Sequence, residues 1–274
     1  MQATSRESYA AAADALEAYA RGAQADAVAA TADEILAVVR LLVAEPRLRR
    51  ALSDPARPGP QRAGLFTGLL DGKVGADTLR LLGTLAGGRW SSPTDLLNAV
   101  ERLGTEAVLA AAERAGHLGD VEDELFRFHQ VAAGTPALAA ALGDLSAEPA
   151  RRAALARDLL DGKATPATVR LVELALAGFG GRSFDGALTR LVELTAARRD
   201  RQVAYVTVAQ PLTEAEEERL AARLAELYGR AISLKVSVDA RIIGGISVQV
   251  GSDLYDGTVA RRLAETRIAL AGRQ

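Results

Sequence analysis

The chain has 274 residues, a length that predicts two or three domains of ordinary size. Hydrophobic residues make up 49% of it and aromatic residues only 4%, which favours packed helices with cores of Ala, Leu and Val over an all-β fold. The formal net charge of −2 speaks against a broadly basic nucleic-acid binder, and the absence of cysteine excludes disulfides, zinc–thiolate sites and thiol catalysis.

Six short helices are predicted over the first hundred residues. Apolar side chains recur at helical spacing there, between breaks made by proline and glycine. The first two predicted helices end near Gly22 and Pro46, and a later one stops at Asp71-Gly72, where glycine can adopt a left-handed cap. The sixth begins at Ser92-Pro93, with proline in the first turn.

Part of this helical region occurs twice, at an offset of 90 residues. The pentapeptide LLDGK at 69–73 returns at 159–163, and 18 of the 49 positions from 33 to 81 are identical in the second occurrence without a gap. The Gly-Gly-Arg at 87–89 returns at 180–182, so a few residues are inserted before it. Such periodicity marks a duplicated domain. We therefore expect copy one over residues 1–103 and copy two over 104–200, where Gly104 precedes a first helix at 106–115.

The remaining residues, 201–274, predict a small β-α-β-β-α module. A β-branched run precedes a helix whose capping box is formed by Thr213 and Glu216. Two stretches then alternate apolar and polar residues, and Asp256 is a suitable N-cap for a closing helix through Leu263. The predicted fold class is mainly α: two tandem six-helix bundle domains followed by a small α/β domain.

The motifs that could carry chemistry have plainer interpretations. LLDGK lacks the earlier glycine and the following Ser or Thr of a phosphate-binding loop, which favours a helix stop. His117 and His129, the only histidines, have no metal-binding pattern around them. The acidic pairs at 33–34 and 123–124 and the run at 216–218 are interpreted as solvated helix faces. No catalytic, cofactor-binding or metal-binding residue is predicted.

The remaining partners suggested by composition are also weak. The C-terminal module is nearly neutral and lacks a Gly-x-x-Gly clamp or an aromatic ribonucleoprotein motif, so nucleic-acid binding is not expected. The N-terminus is polar, and no stretch reaches the roughly 18 uninterrupted apolar residues of a membrane span. Any link to a membrane is therefore expected to pass through a partner.

The C-terminal segments carry a family resemblance. VTVAQPLT at 206–213, VDARIIGGISVQVG at 238–251 and DGTVARRL at 256–263 resemble the C-terminal signature of the δ subunit of F-type ATP synthases, the oligomycin-sensitivity protein (OSCP) of mitochondria. Each helical copy also resembles that family's N-terminal six-helix domain. Ordinary members have one such domain, and the duplication here is similar to the extended actinobacterial form. The residues that carry the signature are Pro211, Leu212, Asp239, Gly244, Gly245, Asp256 and Leu263.

The resemblance implies a non-catalytic stator subunit without a cofactor. Its helical region would hold the N-terminal segments of the α subunits, and its C-terminal module would grip the b subunit of the peripheral stalk, at the cytoplasmic face of the bacterial membrane. Some relatives are fused behind a membrane-anchored b segment; none precedes Met1, so a free δ is expected. The alternatives are a generic helical adaptor for unrelated partner helices and, more remotely, an enzyme. Which copy holds the α subunits stays open at this point.

Overall fold

The computed structural model describes residues 2–259, 261 and 263 of the chain. The architecture is mainly helical with a small mixed sheet toward the C-terminus, as the sequence predicts. The helical elements are α1 (Ala3–Gly22), α2 (Ala25–Ala44), α3 (Pro46–Ser53), α4 (Gly59–Leu70), α5 (Ala76–Gly87), α6 (Pro93–Arg114), α7 (Leu118–Gly134), α8 (Pro136–Gly143), α9 (Pro149–Leu160), α10 (Pro166–Leu176) and α11 (Phe184–Arg198). The C-terminal module contains β1 (Arg201–Val208), α12 (Glu214–Tyr228), β2 (Ala231–Val238), β3 (Ile246–Val250) and β4 (Asp253–Asp256).

The repeated pentapeptide is a helix stop in both copies. α4 ends at Leu70 and α9 ends at Leu160, and the glycine two residues later has a φ of 67° at Gly72 and 64° at Gly162. An L-amino acid with a side chain is strained in this left-handed region, whereas glycine is not. The interpretation of LLDGK as a structural signal is therefore confirmed.

One helix runs through the predicted boundary between the copies. The predicted sixth helix of copy one and the predicted first helix of copy two form the single helix α6, so the expected break at Gly104 is wrong. Gly104 instead lets α2 approach closely, because a Cβ there would lie 2.9 Å from the Cδ2 of Leu36 and 3.2 Å from the Cγ2 of Ile35. This glycine serves helix packing and not helix termination.

Both copies share one hydrophobic core. A continuous cluster of buried apolar residues extends from Tyr9 in α1 through α6 to Val203 in β1. α6 belongs to both bundles, since α1 and α2 pack on its sides along with α3, and α7 and α10 pack on it from copy two. The boundary between the copies at residues 103 and 104 stays a prediction. The two bundles are joined through α6, on which helices of both copies pack.

The C-terminal sheet has the strand order β2-β1-β3-β4, with β1 and β2 parallel and the other pairs antiparallel. The sequence does not predict β4, which is only four residues long and follows a tight turn at Gly251, where φ is 59°. One face of the sheet packs against Leu224 of α12. The other face packs on copy two, where the rings of Tyr205 and Phe126 lie 6.4 Å apart.

Of the two helix N-caps predicted in the C-terminal module, one is confirmed and one is wrong. The carboxylate of Glu216 accepts hydrogen bonds from the N–H and the hydroxyl of Thr213, each at 2.8 Å, which confirms the capping box. Asp256 is not the N-cap of the closing helix: it ends β4, and Thr258 Oγ1 accepts from Arg261 N–H at 3.4 Å. Residues 259, 261 and 263 are helical, and the rest of the predicted helix lies outside the described residues.

Candidate partner-binding surfaces

The signature residues of the C-terminal module gather at one end of its sheet. β1 ends before Pro211 and Leu212, β2 ends before Asp239, and the Gly244-Gly245 pair precedes β3. The register pairs Val208 with both Val238 and Ile246, and Ser247 with Asp256, so these strand ends are neighbours. This is the end opposite to the one at which the chain enters from α11. Leu263 lies beyond β4 and is 59% exposed.

Gly245 closes this end of the sheet by a close backbone contact. Its φ is 89°, and a Cβ on it would lie 2.5 Å from Gly257 O and 2.8 Å from Thr258 Cα. The neighbouring Gly244 O accepts from Val259 N–H at 2.9 Å. The expected structural role is confirmed for Gly245, because a side chain there would displace the chain. At Gly244 a Cβ would lie 3.3 Å from Val259 Cγ2, a milder contact.

Two aspartates at the same end of the sheet accept hydrogen bonds from residues close to them in sequence. Asp239 accepts from Arg241 Nε and Nη2 at 3.0 and 2.9 Å, and this guanidinium lowers the pKa of Asp239 below its ordinary value. Asp256 accepts from Thr258 N–H at 3.0 Å, and the bonds from Thr258 lower its pKa as well. Both carboxylates are therefore charged near neutral pH. A role of these residues in binding a partner stays a prediction.

A buried ionic cluster joins the C-terminal module to copy two. Glu122 of α7 is fully buried; its carboxylate lies 2.9 Å from Lys235 Nζ of β2 and 2.7 Å from Arg199 Nη1, and it also accepts from the hydroxyl of Ser233. Burial by itself raises the pKa of Glu122, but the hydrogen bonds from Ser233, Lys235 and Arg199 outweigh burial and hold it below its ordinary value. Lys235 also contacts Asp123 at 2.7 Å. The cluster fixes the sheet against α7.

The acidic pairs are not simple solvated faces, which corrects the sequence interpretation. Glu34 accepts from Gly75 N–H at 3.0 Å and from the hydroxyl of Thr78, and Glu124 accepts from Thr165 N–H at 2.8 Å. Each glutamate thus holds the start of the helix that lies 41 residues farther along. The preceding aspartates reach the next part of the chain: Asp33 binds Arg170 of α10, as Asp123 binds Lys235 of β2. The return of Glu34 and Thr78 as Glu124 and Thr168 was the signal that could have revealed the glutamate contacts, whereas the aspartate contacts are not repeated.

A cleft of about 630 Å³ lies between the two copies. α2 of copy one forms one wall with Val39 and Val43, and α9 and α10 of copy two form the other with Ala153 and Leu174. Val43 is 51% exposed although it is apolar. The bidentate pair of Asp33 and Arg170, with distances of 2.5 and 2.7 Å, spans the cleft at its rim. Its apolar walls and polar rim suit an amphipathic segment of a partner.

A buried carboxylate lies at the floor of this cleft. Glu101 of α6 is 5% exposed and accepts from Gly180 N–H at 2.9 Å. Burial raises the pKa of Glu101 above its ordinary value, opposed in part by the Gly180 hydrogen bond and by the charges of Arg182 and Arg49.

Among the residues that the structure describes, neither histidine belongs to a group of side chains arranged to bind a metal ion. His117 Nδ1 lies 3.0 Å from Asp120, and His129 pairs with Asp185 of α11. Within residues 2–259, 261 and 263, no group of three or more His, Cys, Asp or Glu side chains is arranged to hold a metal ion. In the same part of the chain, no helix has the length and hydropathy needed to cross a bilayer.

Comparison with known proteins gives a consistent result. The profile of the family described as ATP synthase delta (OSCP) subunit matches residues 100–270. A protein of Salinispora arenicola named ATP synthase subunit delta is 67% identical over 271 residues, which cover 99% of each chain. A protein of the same name from Streptomyces griseus is 44% identical over 272 residues, covering 99% of this chain and all of its own. A chain of the Toxoplasma gondii mitochondrial ATP synthase hexamer superposes on 61% of this chain with a TM-score of 0.35 and 13% identity, too low to support an argument.

Proposed function

Because this chain belongs to the ATP synthase delta (OSCP) subunit family and is therefore a non-catalytic subunit of that complex, we propose that it is the link of the stator. In this proposal its helical region holds the N-terminal segments of the α subunits at the catalytic head. The far end of its C-terminal sheet holds the b subunit of the peripheral stalk at the cytoplasmic face of the membrane. The link keeps the head from turning with the rotor, so that torque acts on the nucleotide sites.

The observation that carries the proposal is the mechanical continuity of the chain. A stator link has to transmit torque without yielding between its two ends. Here α6 is shared by both copies, one buried core runs from Tyr9 to Val203, and the cluster around Glu122 closes the joint to the sheet. Each joint along the chain thus buries side chains that would have to be separated before it could bend.

Copy two is proposed as the part that corresponds to the helical domain of ordinary members. The family profile matches residues 100–270, which cover copy two and most of the C-terminal module, and copy two contacts that module directly. Copy one is then the addition. We propose that copy one enlarges the surface with which this chain binds the head, because its α2 forms one wall of the inter-copy cleft.

Co-purification tests the stator proposal. The tagged full-length chain, produced in its own organism and extracted in mild detergent, is expected to bring down the α, β and b subunits. A preparation that contains none of them would contradict the proposal and favour an adaptor for other partners.

The contribution of the inter-copy cleft is tested by a matched pair of variants. Val43→Asp places a carboxylate on the apolar wall of the cleft, and we expect it to weaken binding of the α–β head about tenfold, a loss of about 1.4 kcal/mol. Val131→Asp is the control, since Val131 is similarly exposed, at 56% against 51%, but lies outside the cleft. Equal affinities of the two variants for the head would exclude the cleft as a contact.

A further inference from the structure

The same arginine is bonded differently in the two copies. Arg62 of α4 and Arg152 of α9 are equivalent at the offset of 90 residues, and both are buried, with 4% and 7% exposure. Arg62 uses all three of its nitrogens: Nε donates to Ala86 O, Nη1 to Asp54 O and Arg57 O, and Nη2 to Gly87 O and Gly88 O. This guanidinium is fully satisfied by carbonyl groups of its own copy.

Arg152 uses only one of its nitrogens. Its Nη1 donates to Leu142 O at 3.3 Å and to Leu176 O at 3.2 Å. Its Nε is buried without an acceptor, and Nη2, which also has no acceptor among the described residues, keeps access to solvent. Leaving the donors of a buried cation unpaired is costly, which is why such groups in proteins are nearly always satisfied by a partner.

The difference follows from the three-residue insertion after α10. In copy one, the backbone carbonyls of Gly87, the last residue of α5, and of Gly88 supply the acceptors for Nη2. In copy two, α10 ends at Leu176 and a 3₁₀ turn at Phe179–Gly181 replaces that stretch. In copy one, the start of α4 lies so close to the end of α5 that a Cβ at Gly59 would be 2.5 Å from Gly87 O. Copy two has Pro149 at the position of Gly59, so the start of α9 cannot approach the end of α10 as closely.

A cavity of about 470 Å³ lies beside the unsatisfied guanidinium. Three of the positions that line it carry smaller side chains than their buried counterparts in copy one, namely Ala132 for Leu42, Ala175 for Leu85 and Ser183 for Trp90. The opposite exchanges, Leu176 for Ala86 and Phe184 for Ser91, do not close it. Copy one is filled where copy two is open.

The charges around the cavity favour an anion. Arg182 also lines it and is exposed, without a side-chain acceptor among the described residues. Asp185 is the one carboxylate among the described residues that line the cavity, and it pairs with His129. Asp144 lies outside the lining; hydrogen bonds from the N–H and hydroxyl of Ser146, at 2.8 and 2.6 Å, and to a smaller extent the charge of Arg152 lower its pKa. Most other lining side chains are apolar, so the site suits a carboxylate carried on an apolar stem.

We propose that the cavity beside Arg152 is a carboxylate-binding pocket that receives an Asp or Glu side chain of the α-subunit segment held by copy two. The source of the carboxylate rests on the proposed stator function; the carboxylate site itself rests on Arg152 and its cavity. Copy one, whose equivalent arginine is saturated, does not bind such a side chain at this position.

The site is tested directly by NMR on the full-length chain with butyrate as the probe. The Arg152 Nε–Hε signal, assigned by its loss in Arg152→Lys, is expected to shift saturably with butyrate and not with the neutral analogue butanol. The Arg62 Nε–Hε signal is the internal control and should not move. Absence of a butyrate shift, or an equal shift with butanol, would overturn the carboxylate site and leave an adventitious or water-filled cavity.

A plug variant links the site to the head without touching Arg152. Gly143→Phe adds a ring at the cavity wall, where a Cβ meets nothing within 4 Å, and we expect it to abolish the butyrate shift and weaken head binding at least about tenfold. Ala140→Phe is the control on the same helix, exposed and outside the cavity. Failure of the wild-type chain to bind the head would count against the stator proposal, while the butyrate result still decides the pocket. Head binding unchanged by Gly143→Phe would remove the α-subunit carboxylate from it.

Discussion

The two helical copies share one sequence pattern but differ in the side chains that occupy equivalent positions. In copy one, Arg62 is saturated, Trp90 is buried with its Nε1 donating to Leu85 O at 3.0 Å, and Ala32 lies on α2 in the core. At the equivalent positions copy two has a half-bonded Arg152, Ser183 and the buried carboxylate of Glu122. Duplication has therefore kept the scaffold, while the side chains at these equivalent positions differ in size, in charge and in the partners they find.

The largest effect is expected from making copy two resemble copy one at the joint. Glu122→Ala installs the residue of position 32 and leaves Lys235 buried beside a single, half-exposed carboxylate. Removing one partner of a buried ion pair typically costs about 3–5 kcal/mol. We expect a loss of this size in the free energy of unfolding, measured by urea denaturation at pH 7. Glu193→Ala, which breaks the exposed pair with Arg190, is the control and should cost under about 1 kcal/mol.

The pH dependence of that loss has a definite sign. The pKa of Glu122 is lowered in the folded state, so its carboxylate contributes stability above the unfolded value of about 4.3, and this contribution is lost as pH falls through the folded pKa. The difference between wild type and Glu122→Ala should therefore shrink in acid. A difference independent of pH would mean that the lost packing, and not the charge, determines the effect.

The two arginines provide the next largest contrast. Arg62→Met abandons five hydrogen bonds to carbonyl groups of copy one, whereas Arg152→Met abandons two. Leaving buried carbonyl groups unsatisfied is costly, but Arg152→Met also removes the unpaired Nε, so we expect Arg62→Met to lower the unfolding free energy by at least about 2–3 kcal/mol and Arg152→Met by only about 1 kcal/mol. Denaturant midpoints of both variants measure this. Equal losses would show that the two sites are bonded alike in solution.

The buried glutamate between the copies, Glu101, and the one at the contact with the sheet, Glu122, have pKa shifts in opposite directions. The pKa of Glu101 is raised, so the folded state holds the proton more tightly than the unfolded chain does. Its stabilising contribution is present at low pH and is lost as pH rises from the unfolded value of about 4.3 through the folded pKa. Glu101→Gln, which retains an oxygen to accept from Gly180 N–H, should raise thermal stability at pH 7 and lose this advantage below about pH 4. A destabilised variant at pH 7 would mean that Arg49 and Arg182 dominate.

Local signals in the sequence predicted what local interactions decide. The glycine stops at Gly72 and Gly162 and the capping box of Thr213 were readable because each depends on a few neighbouring residues. The continuity of α6 through Gly104 could not be predicted in this way, because this glycine is needed for close contact with α2, a separate helix. Burial of Glu122 was missed for the same reason: its partners Ser233 and Lys235 lie more than a hundred residues away.

The smallest effect concerns the aspartates that connect each copy to the next domain of the chain. Asp33 is half exposed and binds Arg170 across the inter-copy cleft, so Asp33→Asn should cost about 0.5–1 kcal/mol, and less in high salt because exposed pairs are screened. Asp123→Asn, which contacts the buried Lys235, should keep more of its effect in salt. A double-mutant cycle of Asp33→Asn with Arg170→Met isolates the bridge from other changes. If coupling is absent but Asp123→Asn still destabilises, copy one is attached through α6, its core and the pair of Glu17 with Arg198, and the cleft is free to widen around a partner.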